Sequence, residues 1–191
     1  MATSRANTTF LLALATLVAL SFSTGDACNP CDSVPSMSIH EACDKAYSNV
    51  SPPQVELCKS TLRAAGAAPT AEVTVYAVAA AKSAKKSYNS SMAIIDRLLE
   101  NPSLPDSEKA AYELCQDRYG KALEYMIGVA NQMSLCAFAY PRQESLEATI
   151  VLTACGNSLA DFQSSPLYGA NAADLDKTFV AYNLGSLIVG K

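Results

Sequence analysis

The stretch that decides the fold of this 191-residue chain reads YELCQDRYGKALEYMIGVANQM over 112–133 and LEATIVLTACGNSLADF over 146–162. In each half the apolar residues recur at steps of three and four, which is the spacing of one buried helix face. They are Leu114, Cys115, Tyr119, Ala122, Leu123, Met126, Val129 and Ala130 in the first half, and Leu146, Ala148, Val151, Leu152, Cys155, Leu159 and Phe162 in the second. Pro141 lies between the two patterns, where a helix would be interrupted. The stretch therefore predicts a helical hairpin.

Two short helices are predicted upstream of this hairpin. Ser38 is placed to cap a helix over 39–47, and Pro52-Pro53 can open a second one over 54–62. Neither is long enough to be stable alone, so we expect a cross-link between Cys43 and Cys58 to hold them together.

Two further long helices flank the central hairpin. Gly66 and Pro69 break the chain, and Thr70 is placed to cap an alanine-rich helix over 71–100. The first helix of the hairpin then starts near 106 and runs to about 136. After the hairpin, residues 164–171 contain Pro166 and Gly169 and are interpreted as a loop. A last helix is predicted over 174–189, with its apolar face formed by Leu175, Phe179, Tyr182, Leu187 and Ile188.

No run of period-two alternation interrupts this series of helices, so no strand is predicted. The count is two short helices and four long ones. We therefore predict an all-α chain, an up-and-down four-helix bundle preceded by a helical hairpin. A length of 191 residues, half of them hydrophobic, is enough for one domain with a sizeable core.

The N-terminal segment has the pattern of a secretory signal peptide. Arg5 precedes an apolar run over 10–20, and small residues follow up to Ala27. We expect residues 1–27 to be removed, with cleavage after Gly25 or Ala27, and residues 28–191 to form the mature domain. No later run reaches the length of a membrane span, so no membrane association is expected after cleavage.

Composition excludes several function classes. A net charge of −4 and a pI near 5.0 argue against nucleic acid as a partner. His40 is the single histidine, which excludes histidine-based triads and histidine-rich zinc sites. The carboxylates Asp117, Glu124 and Asp161 are interpreted as a solvated surface, as are the lysines at 82, 85 and 86. We therefore expect no catalytic residues, no metal and no cofactor.

Seven cysteines in a secreted chain imply disulfides, and the odd number leaves at least one unpaired within the molecule. If the hairpin turns near 140, Cys155 lies about 15 Å along the helix axis from the levels of both Cys115 and Cys136. Helix geometry therefore leaves the choice between these two partners open. Two sequons in the expected mature chain make Asn49 and Asn89 candidate acceptors for N-linked glycans.

The whole mature chain, residues 28–191, resembles the plant invertase and pectin methylesterase inhibitor family. The first similarity is the segment Ile39-His40-Glu41-Ala42-Cys43, followed by Tyr47 and by Cys58-Lys59-Ser60-Thr61-Leu62. A second is the pattern of Cys115, Tyr119 and Ala122, and a third is Cys155 followed by Leu159 and Phe162. The resemblance implies the disulfides Cys43–Cys58 and Cys115–Cys155, and Cys136 is then expected to be a buried free thiol or to join Cys28 or Cys31.

The resemblance also implies a function. We expect a secreted inhibitor that binds and blocks a plant cell-wall carbohydrate enzyme, either pectin methylesterase or acid invertase, in the apoplast or, alternatively, in the vacuole. A second hypothesis is a helical-bundle carrier of small apolar ligands. A redox protein using Cys28 and Cys31 is disfavoured, because no strand and helix flank that pair to lower a thiol pKa.

Overall fold

The computed structural model describes residues 31–48 and 52–189. Along these ranges the elements follow one another as β1 (Ser36–Ser38), α1 (Ile39–Ala46), α2 (Pro52–Ala64), β2 (Thr70–Glu72), α3 (Val73–Leu99), α4 (Asp106–Ser134), α5 (Pro141–Ser158) and α6 (Pro166–Val189). The helix α4 packs between α3 and α5, and α6 closes the ring by packing against both. The predicted all-α, up-and-down four-helix bundle with an N-terminal helical hairpin is therefore confirmed.

The N-terminal hairpin of α1 and α2 packs on α6 and α3 of the bundle. As the sequence predicts, the hydroxyl of Ser38 caps α1 by accepting a hydrogen bond from the backbone N–H of Glu41 at 3.1 Å. A disulfide joins Cys43 of α1 to Cys58 of α2, with a Cα–Cα distance of 5.7 Å. Both cysteines are fully buried, so the bridge lies where the two short helices meet the bundle.

The absence of strands was a wrong prediction. β1 and β2 form an antiparallel pair in which Met37 is opposite Ala71, and the phenol of Tyr76 donates to the carbonyl of Met37 at 3.0 Å. Three residues are too few to show a period-two pattern. The predicted cap at Thr70 is also wrong, because Thr70 lies in β2 and α3 begins after Glu72.

The connection between α4 and α5 explains how Cys115 and Cys155 reach each other. Cys115 lies 19 residues before the end of α4, whereas Cys155 lies 14 residues after the start of α5. The chain leaves α4 through Cys136, which has a left-handed φ of 56°, and residues 135–140 connect α4 to α5. The two counts differ by about five residues, so the start of α5 is staggered against the end of α4 by roughly 7.5 Å along the helix axis. This stagger brings the Cα atoms of Cys115 and Cys155 to 4.7 Å in a disulfide.

The start and the buried face of α6 differ from the prediction. The helix begins at Pro166, eight residues earlier than predicted, because proline is favoured at the first helical position. The Ser165 hydroxyl caps this start by accepting from the N–H of Leu167 at 3.3 Å. Of the predicted apolar face, Leu175, Leu187 and Ile188 are partly buried against the core, whereas Phe179 is exposed. The hydrophobic and polar residues of α6 that are buried in the bundle are Leu167, Asn171, Asp174, Thr178, Val180, Ala181 and Leu184.

Candidate functional site

The acidic residues and the histidine that could have supported catalysis lie on the surface. Asp117, Glu124 and Asp161 are exposed, and Asp117 is paired with Lys121 at 3.0 Å. His40 is exposed on α1 and lies 3.3 Å from the carboxylate of Asp44. Across residues 31–48 and 52–189 no group of three or more histidine, cysteine, aspartate or glutamate side chains is placed to hold a metal ion.

Polar side chains meet instead at the centre of the bundle. The Oδ2 atom of Asp174 on α6 accepts hydrogen bonds from the hydroxyl of Ser91 on α3 at 2.6 Å and from the phenol of Tyr119 on α4 at 2.8 Å. Asn171, one turn earlier on α6, donates its amide to the carbonyl of Leu152 on α5 at 3.1 Å. The helices α3, α4 and α6 thus contribute side chains, and α5 a backbone carbonyl, to one buried network. We call it the core cluster, and its side chains are those of Tyr88, Ser91, Tyr119, Asn171, Asp174 and Thr178.

The two tyrosines of the core cluster are held in the neutral form. Tyr88 shares a hydrogen bond with the hydroxyl of Thr178, and its ring meets that of Tyr119 edge-on at 5.9 Å. Burial raises the pKa of each phenol well above its ordinary value near 10. The neighbouring carboxylate of Asp174 raises the pKa of both further. The core cluster therefore aligns four helices and has no exposed group with which to act on a substrate.

A second feature is an outward-facing apolar surface on α5 and α6. Leu146 and Ile150 of α5 are 47% and 53% exposed, and Phe179 of α6 is 42% exposed. The exposure of Leu146 contradicts the prediction that it is buried, as does that of Leu114, which is 37% exposed on α4. Large apolar side chains held at the surface of a rigid scaffold are typical of protein-docking sites.

The contact between Arg142 and Tyr182 shows that these residues lie side by side. The guanidinium of Arg142 on α5 lies 5.9 Å from the ring centre of Tyr182 on α6. Because α5 and α6 run antiparallel, moving about one turn into each helix brings Leu146 level with Phe179. We call the surface formed by Arg142, Leu146, Ile150, Phe179 and Tyr182 the outer α5–α6 face.

The remaining residues singled out in the sequence are distributed around the bundle. Cys31 is joined to Cys136, with a Cα–Cα distance of 5.6 Å, which is one of the two outcomes expected for Cys136. Cys28 and Asn49 lie outside the described residues. Asn89 is exposed on α3, on the helix surface rather than in a loop. The lysines at 82 and 86 are exposed as predicted.

The sequence shows the apolar residues of the outer α5–α6 face but predicts them to be buried, and it gives no sign of the core cluster. Of the apolar stripe that the sequence shows on α6, Leu175 is partly buried against the core and Tyr182 is partly buried, whereas Phe179 is exposed. Asn171, Asp174 and Thr178 follow the same helical spacing and resemble a solvated face until their partners on three other helices are known.

The fold is similar to that of a solved structure. It is that of a mutant form of a pectin methylesterase inhibitor from Arabidopsis, which is 14% identical in sequence, superposes with a TM-score of 0.65, and matches 78% of this chain and 97% of its own length. No protein-family model matches the sequence, and no curated protein matches it. None of the helices within the described ranges combines the length and hydrophobicity of a membrane-spanning segment.

Proposed function

We propose that the chain is a secreted protein inhibitor that docks on a plant cell-wall carbohydrate enzyme, pectin methylesterase or acid invertase, and blocks it. In this proposal residues 1–27 are a signal peptide, residues 28–191 are the mature inhibitor, and the protein acts in the apoplast or, alternatively, in the vacuole. The observation that carries the proposal is the outer α5–α6 face, in which three exposed apolar side chains are held on a braced bundle. The likeness of the fold to a pectin methylesterase inhibitor supports the choice of target class.

The bundle is suited to inhibition because its surface is preformed. Disulfides join α1 to α2 and α4 to α5, and a third joins Cys31 to the α4–α5 connection. The core cluster adds hydrogen bonds among all four long helices. A partner that docks on such a scaffold loses little free energy to ordering, so more of the contact energy appears as affinity.

The first test is inhibition of purified enzymes by the mature chain. We expect it to inhibit at least one enzyme in a panel of pectin methylesterases and acid invertases, with an inhibition constant that is independent of any added cofactor. Inhibition of none of the panel, by protein shown to be folded by circular dichroism, would refute the proposal.

The second test locates the docking surface. Ile150→Glu and Phe179→Glu each place a charge on an exposed apolar position, and we expect each to weaken inhibition by about tenfold or more, as for an interface hot spot. Ile127→Glu is the matched control, because Ile127 is also exposed, at 39%, but lies on α4. It should change the inhibition constant by less than about twofold. Equal effects of all three substitutions would exclude the outer α5–α6 face as the docking site.

The salt dependence of binding gives a third measure. Apolar contacts are not screened by ions, whereas long-range attraction between charged proteins is. Added salt should therefore change mainly the association rate, with little change in the dissociation rate. A rise in the dissociation rate alone would show that ion pairs, rather than the apolar side chains, hold the complex.

A further inference from the structure

A second surface feature lies on the opposite flank of the bundle, between the end of α2 and the first half of α3. It is an open groove of about 510 Å³, formed by the segment 64–68 and by one side of α3. The apolar part of its wall is made of small side chains, including Ala67, Ala68, Val75, Val78 and Ala79. The groove is separate from the outer α5–α6 face, and nothing in the proposed inhibitory function uses it.

The groove carries positive charge at one end. Lys82 and Lys86 line it together with Ser83, and no acidic residue does. Within the described part of the chain, no carboxylate lies within 4.0 Å of either ammonium group, although the lysines at 45, 59, 109 and 121 all have such partners. Two lysines without a carboxylate partner thus lie four residues apart beside a groove that no acidic residue lines.

The apolar and the basic parts of the groove follow each other along α3. Val75, Val78 and Ala79 come first, and the lysines follow at 82 and 86. At 1.5 Å per residue the distance along the helix axis is about 10 Å from 75 to 82 and about 16 Å from 75 to 86. The groove is thus polarised, with an apolar trough that leads to a pair of cations.

We propose that this groove binds a single-chain amphiphile whose head group is anionic, with the alkyl chain along the alanine and valine wall and the head between Lys82 and Lys86. The volume falls within the range of small-molecule sites, which combine an apolar lining with a few polar groups. Burial of the alkyl chain supplies the affinity, and the lysine pair fixes its direction.

Other ligand classes fit these walls less well. An extended peptide would bury backbone N–H and C=O groups against alanine methyl groups, which leaves them without partners. No aromatic side chain lines the groove, so a sugar ring would find no flat surface to lie on. An alkyl chain has no polar groups to satisfy, and a carboxylate head would be paired by either lysine.

The test is titration of the folded protein with decanoate, kept below its micellar concentration, by calorimetry and by amide NMR shifts. We expect decanoate to bind and to shift amide signals of 64–68 and 75–86. Acetate, which lacks the chain, and decanol, which lacks the charge, should each bind at least about tenfold more weakly. Shifts confined to other parts of the bundle, or equal binding of decanol, would overturn the proposal.

Two variants distinguish a specific head-group site from general attraction to positive charge. Lys82→Gln/Lys86→Gln should weaken decanoate binding by about tenfold or more. Lys109→Gln/Lys121→Gln removes the same charge from α4, outside the groove, and should leave binding unchanged. Equal losses in both would refute the site.

A third variant tests the apolar part of the groove. Ala79→Phe fills the trough while both lysines remain, so it should abolish decanoate binding. Retained affinity in this variant would also refute the site.

Discussion

Two tyrosines of the core cluster, Tyr88 and Tyr119, should contribute different amounts to the free energy of unfolding, because they differ mainly in their hydrogen-bond acceptor. Tyr88 and Tyr119 are both fully buried and touch each other edge-on. Tyr119 donates to the carboxylate of Asp174, whereas Tyr88 shares its hydrogen bond with the neutral hydroxyl of Thr178. Replacing each by phenylalanine keeps the ring and removes only the hydroxyl group.

The two substitutions should differ in their effect on the free energy of unfolding. A hydrogen bond to a charged group contributes about 1.5–3 kcal/mol, and one between neutral groups about 0.5–1.5 kcal/mol. Tyr119→Phe should therefore destabilise the protein by about 2 kcal/mol and Tyr88→Phe by about 1 kcal/mol. In the first variant Asn171 loses its 3.4 Å hydrogen bond to the Tyr119 hydroxyl but keeps the one to the carbonyl of Leu152 at 3.1 Å, so its amide nitrogen retains a partner.

The assay is equilibrium unfolding in urea at neutral pH with the disulfides intact. With a slope of about 2 kcal/mol per molar urea, the midpoint should fall by about 1 M for Tyr119→Phe and by about 0.5 M for Tyr88→Phe. In the Asp174→Asn background, where the acceptor is neutral, the additional effect of Tyr119→Phe should shrink to about 1 kcal/mol. A Tyr88→Phe effect as large as that of Tyr119→Phe would show that the carboxylate does not set the strength of this contact.

Three further outcomes are expected. The pKa of both core-cluster phenols is raised in the folded state, so the stability that they contribute is present below about pH 10 and should fall as the pH rises further. A urea midpoint that stays constant above pH 10 would contradict the burial of these phenols. Cys136→Ser opens the bridge to Cys31, which closes a loop of 105 residues, and should cost about 4–5 kcal/mol of stability on the chain-entropy model; peptide mapping of the wild-type protein without reduction checks the bridge itself. Gly156→Ala should destabilise the protein by about 1–3 kcal/mol, since a Cβ there would lie 2.6 Å from the side-chain oxygen of Asn171. A Cβ at Gly169 meets nothing within 4 Å, so Gly169→Ala should stabilise α6 by about 0.5–1 kcal/mol. The thermal unfolding temperatures of the two variants should therefore shift in opposite directions.

The sequence predicts the helices well wherever a helix has one apolar side and ordinary end signals. The stripe from Cys115 to Val129 on α4 follows the spacing of three and four, and most of it is buried as predicted. Ser38 caps α1 as its position before an apolar run indicates. These features are local, because they depend on residues within one or two turns of each other.

The errors occur where the decisive partner is distant in sequence. Pro166 and Gly169 predict a loop over 164–171, whereas Ser165 and Pro166 together form a capped helix start that also lies against Tyr112 of α4. The level at which Cys115 meets Cys155 depends on the stagger of α5 against α4, which the path of the 135–140 connection sets. Neither arrangement leaves a pattern in the local sequence.

The sequence by itself thus determined the helical class, the number of long helices and the two short ones before them, because helix periodicity and breakers act over a few residues. Only the tertiary structure decided which side of α6 faces inward. Asp174 is buried although it is charged, because Ser91 and Tyr119 reach it from two other helices and satisfy its oxygen. Phe179 remains at the surface because the inner side of the same helix is already occupied by that network. Burial of a polar group depends on partners more than fifty residues away, and this is information that only the packed bundle contains.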